Sequence, residues 1–427
     1  MANIGWLSLD RVIRLGVGLF VGVWVARYLG PEQFGLLNYA MAMVGLFGIF
    51  STLGLDQIVI REIVSRTEES AEVMGTAFLL KLVGGVFAIF IAVLVTTFTR
   101  PGNLLAIGLV AIISAGFLFQ SFDTIDFWFQ ANIQSKYTVY ARNGAFLLSA
   151  GIKVILILAK SSVIWFAVAG LLEIGIGSLG LVYCYRRRGL SISGWKMSVI
   201  RAKSLLQVAW PLMLAGIAVA VYMKIDQVML AGLVNDKEVG IYAAAVRVSE
   251  VWYFIPTIIT SSVYPVLVNL YEKSKEQYLN RLKQIMGMFF WGTLGLSILI
   301  SLMSELIIEV LYGPAYARSA GVLTIHIYAG IITSMSIVFS QKFILDGTTR
   351  ISFYGTLVGA VANILLNFWL LPLYGAYGAA VATVISYLIP MIFQTVFFDK
   401  QIGLIFIEAV VSPVMYMKWS RGSTSEG

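Results

Sequence analysis

The chain has 427 residues, of which 59% are hydrophobic and 12% charged, with a mean hydropathy of +0.87 and a net charge of +8. A soluble domain carries about 25% charged residues, so this composition excludes an ordinary soluble protein and indicates a polytopic membrane protein, whose spans need roughly 20 apolar residues each. One cysteine, Cys184, excludes an internal disulfide, and one histidine, His326, excludes a multi-histidine metal site.

Hydropathy predicts an all-α chain of about twelve transmembrane helices, near 4–29, 34–60, 73–98, 103–130, 138–160, 163–185, 205–232, 238–268, 285–304, 320–345, 352–372 and 376–398. The first holds Asp10, Arg11 and Arg14 and is followed by no small-residue cleavage site, so it reads as a retained helix. Arg11 and Arg14, three apart, share a face that Gly18 and Gly22 continue. Arg14 lies about 15 Å into the span at the helical rise. An intramembrane base marks a functional site by default. The competing reading is that Asp10 and Arg14, at i and i+4, neutralise each other.

The turn after this span, "ARYLGPEQFGLLNYA", puts Pro31 at a first helical position, where its missing N–H costs nothing. Helix four carries the stripe Gln120, Asp123, Asp126 or Phe127, Gln130 and Gln134. Its carboxylates suit a cation, a proton or sugar hydroxyls; a polar helix end near the interface explains them equally. Lys81, Arg142, Lys153, Glu173 and Lys342 are further charges in or near spans, with Arg142 and Lys342 expected to snorkel to the interface. Helix seven carries Lys224 and Asp226 in "YMKIDQVML"; two apart, they point about 200° away from each other, so one of them is expected to face a cavity. In helix eight, Arg247 and Glu250 read either as a cavity cation with its neighbour or as a structural pair. Planar guanidinium suits phosphate oxygens. Asn363 and Asn367, four apart in helix eleven, suit interhelical hydrogen bonds. The tail, 401–427, holds a short apolar stretch broken by Glu408 and Pro413, read as an interfacial helix or a partial extra span.

With the N-terminus inside, the predicted inner loops hold fifteen Lys and Arg residues and the outer loops only four, Arg100, Lys160, Lys237 and Arg318. This is a positive-inside bias. It places the basic loops "YRRRGLSISGWKMSVIRAKS" and "YEKSKEQYLNRLKQ" against anionic headgroups and accounts for the net charge without nucleic acid.

Ala26, Gly35 and Ala40 of the first turn recur as Ala231, Gly240 and Ala245, each 205 residues on, and Thr52 recurs as Thr257. The second turn, "AGLVNDKEVGIYAAA", offers Asn235 or Asp236 as an N-cap. Six predicted helices separate the copies, an even number, so the repeat is parallel. It predicts an N-lobe at 1–186, a basic cytoplasmic linker at 187–204 and a C-lobe at 205–400, the two six-helix lobes enclosing a central cavity.

"VARYLGPEQFGLLNYA", "GLDQIVIREI", "FDTIDFWFQANIQSKY", "KIDQVMLA" and "LYGAYGAAVATVISY" resemble the polysaccharide-transporter, or Wzx-type flippase, family. Its superfamily includes the lipid II flippase and the multidrug-and-toxin extruders. The resemblance implies a flippase that moves a polyprenyl-diphosphate-linked oligosaccharide to the outer leaflet of the cytoplasmic membrane. It leaves the lipid tail in the bilayer and the headgroup in a hydrated cationic cavity. The expected substrate contacts are Arg11, Arg14, Arg247 and Lys224. Asp226, Asp123, Asp126, Glu250 and Gln120 are candidates for ion coupling or sugar contacts. No cofactor is expected; sodium or proton coupling is compatible with the residues but not demanded by them, because an inside-negative potential by itself favours export of an anion. The expected partners are the lipid-linked oligosaccharide, membrane lipids and polysaccharide-assembly proteins, and the protein is expected to act as a monomer. The runner-up is an exporter of drugs or other amphiphiles; basic deep charges weigh against a cationic cargo. An enzyme reading lacks a large outer loop carrying catalytic acids.

Overall fold

The computed structural model describes the backbone of residues 2–411 and side chains from residue 14 onward, those of 15 and 67 excepted. The side chains of Asp10 and Arg11 and the tail beyond Val411 lie outside the described residues. Among those described the chain is helical, with no strand. In order, the helices are α1 (Ala2–Thr52), α2 (Asp56–Ser65), α3 (Ser70–Thr99), α4 (Leu104–Ser114), α5 (Gly116–Gln120), α6 (Asp123–Ala131), α7 (Lys136–Leu158), α8 (Val163–Arg187) and α9 (Val199–Leu233). They continue as α10 (Asp236–Glu250), α11 (Phe254–Lys273), α12 (Lys275–Leu302), α13 (Ser304–Tyr312), α14 (Ser319–His326), α15 (Ala329–Leu345), α16 (Arg350–Tyr374), α17 (Ala376–Phe397) and α18 (Lys400–Val411). Eleven helical segments are long and apolar enough to cross a membrane. The first of these, Gly16–Ser65, is interrupted at Gly30. The chain forms two compact units, residues 1–240 and 241–427.

In the first unit, α1 breaks where the turn motif predicts. Gly30 takes φ 69° and ψ 169°, a conformation open to glycine, and Pro31 restarts the helix. At the second copy, Asn235 is the residue that caps α10, its Oδ1 accepting from the Glu238 N–H at 2.9 Å. Asp236 instead pairs with Arg100 at 2.8 Å. Arg100 also donates to the Ala231 carbonyl at 2.7 Å and stacks 4.0 Å from the Tyr39 ring centroid.

The two turns touch through their repeated glycines. A Cβ on Gly35 would collide with the backbone carbonyl of Asp236, and a Cβ on Gly240 with that of Pro31. Pro31 and Asp236 stand at the same 205-residue spacing as the glycines themselves. The contact is therefore reciprocal, as a local two-fold relation between the turns generates.

The helix expected over 34–60 is interrupted. Leu53 and Gly54 both have positive φ, 53° and 64°, and α2 restarts at Asp56. A bulky side chain at positive φ costs about 1 kcal/mol or more. Across this break lies the buried Lys81 of α3, 3.5 Å from Asp56 and 4.6 Å over the Phe127 ring. The helix expected over 103–130 is likewise divided into α4, α5 and α6, where the Ser121 and Thr124 hydroxyls donate to carbonyls three residues back at 2.6 and 2.8 Å.

Arg201, placed by its loop among headgroup-facing residues, turns inward. It bonds Glu69 and reaches Glu72 at 3.3 Å and Glu62 at 3.7 Å, pinning the start of α9 to α2 and α3. Its guanidinium holds the Glu69 carboxyl below the usual carboxylate range. Three carboxylates outcompete a headgroup for this one cation.

The second unit packs around Leu267, Tyr278, Leu282, Met286, Phe339 and Phe343, with Ile402 of α18 in the same cluster. Part of the tail is therefore a docked helix: Ile402, Ile405 and Ala409 are buried, and Glu408 pairs with Lys283 at 2.7 Å. Asn363 donates to Ser386 at 3.2 Å and accepts from Asn367 at 3.0 Å, tying α16 to α17. Lys342 does not snorkel. It is buried with its ammonium between Asp346, at 2.6 Å, and Asp399, which caps α18 by accepting from the Ile402 N–H at 3.1 Å. Two carboxylates hold the ammonium more strongly than the interface would. Removing the cation leaves both unpaired, which costs about 3 kcal/mol for a buried pair. Lys342→Met is accordingly expected to lower the melting temperature of the purified protein, and adding Asp399→Asn to recover part of the loss.

Candidate functional site

Polar side chains from five helices meet in a cavity of 240 Å³ inside the first unit. It is lined by Arg14 of α1, Gln120 of α5, Asp123 of α6, Arg142 of α7, and Glu173, Ile174, Gly177, Ser178 and Leu181 of α8.

Small residues bring its walls together. Gly180 of α8 lies so close to Ala141 of α7 that an added Cβ would stand 2.9 Å from the alanine methyl, and at Gly177 it would stand 3.7 Å from that of Ala145. One turn further, the Ser149 hydroxyl donates to the Ala169 carbonyl at 3.1 Å. This seam lets α7 side chains reach α8, the small-residue packing that membrane helices use.

Two ion-paired groups result. In one, Glu173 bridges two cations: its Oε1 lies 3.8 Å from Arg14 Nη1 and its Oε2 3.3 Å from Lys153 Nζ. The Arg14 guanidinium also lies over the Phe146 ring, 5.1 Å from its centroid. In the other, Arg142 Nη2 contacts Asp123 Oδ1 at 2.9 Å and Asp126 Oδ2 at 3.1 Å. Asp126 is fixed further, accepting from the Thr138 hydroxyl at 2.7 Å and from Gln130 Nε2 at 3.1 Å. Three cations thus face three carboxylates. The cavity is smaller than the roughly 300–1,000 Å³ that encloses a drug-sized ligand, so it fits a headgroup fragment, with guanidinium forks suited to carboxylate or phosphate oxygens.

Of the residues singled out in sequence, Arg14, Gln120 and Asp123 come together here, and Asp126 joins them through Arg142. Arg14 pairs with Glu173; the side chain of Asp10, its alternative partner, lies outside the described residues, as does that of Arg11. Lys224 and Asp226 stand elsewhere, on α9. The Lys224 stem lies against Gly45 of α1, 3.6 Å from where a Cβ there would stand, and Asp226 is buried. Arg247 and Glu250 belong to the second unit, where Arg247 is within electrostatic reach of Tyr312 and Tyr316.

In sequence, Arg142, Lys153 and Glu173 read only as scattered charges, and Arg142 as an interfacial one. A signal was present: Arg142 and Lys153 are eleven residues apart, three helical turns, hence on one face of α7. Their acidic partners could not be paired with them without knowing that α8 and α6 pack on that face.

The family profile described as polysaccharide biosynthesis protein matches residues 1–271, and the profile described as MatE matches 211–369. The chain is similar to the probable low-salt glycan biosynthesis flippase Agl15 of Haloferax volcanii, 22% identical, over 92% of this chain and 82% of that protein. It is also similar to the probable flippase AglR of the same organism, 29% identical, over 39% of this chain; that match spans only 35% of AglR. Among solved structures it resembles the lipid II flippase MurJ in an inward closed conformation, with a TM-score of 0.74 and 14% identity, covering 96% of this chain and 92% of that one. The structural likeness establishes a shared all-helical fold.

Proposed function

We propose, from the premise that the chain belongs to the polysaccharide biosynthesis protein family, that it is a flippase for a polyprenyl-diphosphate-linked oligosaccharide. Two relatives named as probable flippases support the reading, one of them aligned over 92% of this chain. The observation that carries it to the residue level is that Arg14 and Arg142 line one cavity within membrane-spanning helices, with Lys153 paired to Glu173 of its wall. A diphosphate needs such a site because dehydrating one such charge costs several kcal/mol even after relaxation, and an intramembrane cation site is the means of replacing its water.

The protein sits in the cytoplasmic membrane with its N-terminus inside, as the bias of basic loops supports. Transport is by alternating access, which the parallel repeat supports. It is a transporter rather than an enzyme and works as a monomer alongside polysaccharide-assembly proteins. Arg247 and Lys224 are assigned to later stages of headgroup passage, and Asp226 and Glu250 to any coupling by sodium or protons. The match of the MatE profile over 211–369 favours one alternative, export of a different amphiphile on the same fold.

The test is flipping of a fluorescent polyprenyl-diphosphate sugar in proteoliposomes, read by quenching of the outer leaflet. Wild type is expected to equilibrate the lipid, and Arg14→Ala with Arg142→Ala to slow it about a hundredfold, the order for losing two charge-assisted contacts. A wild type that flips no such lipid but exports organic cations would establish the alternative.

A further inference from the structure

We propose that Glu173 is a resident counter-ion that occupies the headgroup position of the cavity until substrate displaces it, and so sets a threshold of charge for what can enter. The proposal rests on the headgroup reading above and adds a specificity residue to it. Glu173 presents its two oxygens separately to cations from two helices, Arg14 of α1 and Lys153 of α7. A phosphate bridging the same pair would place its oxygens in the same way.

The contact lengths distinguish this carboxylate from its neighbours. Its pairs, at 3.8 and 3.3 Å, are longer than the roughly 2.7–2.9 Å of a charge-assisted bond. Arg142 is held at 2.9 Å by Asp123, and Asp126 is anchored from two further side chains. The Arg142 group is therefore a fixed wall, and the Glu173 group is the exchangeable one. Gly177, one turn along α8 on the same face, lines the cavity without a side chain, leaving room for the displaced carboxylate.

Glu173 lowers the cost of holding these two cations in a membrane interior before substrate arrives. A lipid with one phosphate charge offers Arg14 and Lys153 no more than Glu173 already does. A diphosphate offers more. The counter-ion thus excludes the abundant singly charged phospholipids that share the bilayer, selectivity obtained by repulsion as well as attraction.

The experiment measures binding of farnesyl diphosphate and phosphatidylglycerol to wild type, Glu173→Gln, Glu173→Asp and Arg14→Ala in detergent, with melting curves confirming that each is folded. Wild type is expected to prefer the diphosphate, and Glu173→Gln to bind the singly charged phosphatidylglycerol about tenfold more tightly, the order for removing one competing charge at a partly buried site. Glu173→Asp keeps the charge and is expected to keep the selectivity. Inorganic pyrophosphate is expected to compete with farnesyl diphosphate, and farnesol to have no effect. A folded Glu173→Gln with unchanged selectivity, while Arg14→Ala still loses the diphosphate, overturns the counter-ion role alone. Failure of wild type and Glu173→Gln alike to bind any diphosphate overturns the headgroup reading with it.

Discussion

Replacing Gly240 with valine is expected to abolish the folded protein. A Cβ at this position already collides with the Pro31 carbonyl, which is backbone and cannot rotate away as a side-chain tip would. Two further methyls would force the start of α10 away from α1 and strain the Arg100–Asp236 pair beside it. Overpacking of a tight contact costs about 1–3 kcal/mol and more when backbone must move, against a total stability of roughly 5–15 kcal/mol. Gly35→Val is expected to fail equally, because its Cβ meets the Asp236 carbonyl in the mirrored contact. The double Gly35→Ala, Gly240→Ala variant should lose less than the sum of its singles, since both disrupt one crossing. Gly144 is the control: it lies within α7 with no atom near its missing Cβ, so Gly144→Ala should gain about 0.5–1 kcal/mol of helix stability. Size-exclusion profiles and melting curves in detergent check all four. A monodisperse Gly240→Val protein melting like wild type would show that the turns do not cross at these glycines.

Membrane potential is expected to set the transbilayer distribution of the transported lipid. A headgroup with two negative charges, exported from an inside-negative compartment, moves downhill by about 4.6 kcal/mol per 100 mV. That corresponds to roughly three orders of magnitude in the outer-to-inner ratio. Imposing the potential with a potassium gradient and valinomycin on proteoliposomes should therefore drive the diphosphate lipid outward, and reversing the gradient should return it. The neutral parent alcohol should not respond. A diphosphate distribution indifferent to the potential would mean that its charge travels compensated, which would move the assignment to a coupled cation and to Asp226 and Glu250 as its carriers.

Much of the architecture could be read before any coordinates. Membrane helices announce themselves through length and apolarity, since the bilayer imposes both, and eleven such segments stand among the described residues where about twelve are expected. The break at Gly30 and Pro31 was legible because it depends on local backbone sterics, as was a cap at Asn235 or Asp236. Interruptions at Leu53 and around Ser121 were not. Neither proline nor a glycine pair announces them, and they are held by tertiary contacts such as Lys81 with Asp56.

The site divides along the same line. Sequence by itself determined that Arg14, Asp123, Asp126 and Gln120 are costly residues for a membrane interior and so must have partners or a ligand. It also determined the repeat that puts Gly35 and Gly240 in equivalent places. Tertiary structure alone decided the partners that the described residues show: Glu173 for Arg14, Asp123 and Asp126 for Arg142, three glutamates for Arg201, two aspartates for Lys342. It also separated Lys224 and Asp226 from the cavity that Arg14 lines. The reason is physical. Desolvation is a property of one residue and its depth along a span, so it is written in the local sequence. Coulombic pairing depends on which helix faces reach within about 4 Å of each other, and that is set by small-residue seams such as Ala141 and Gly180, whose registry only the packed fold reveals.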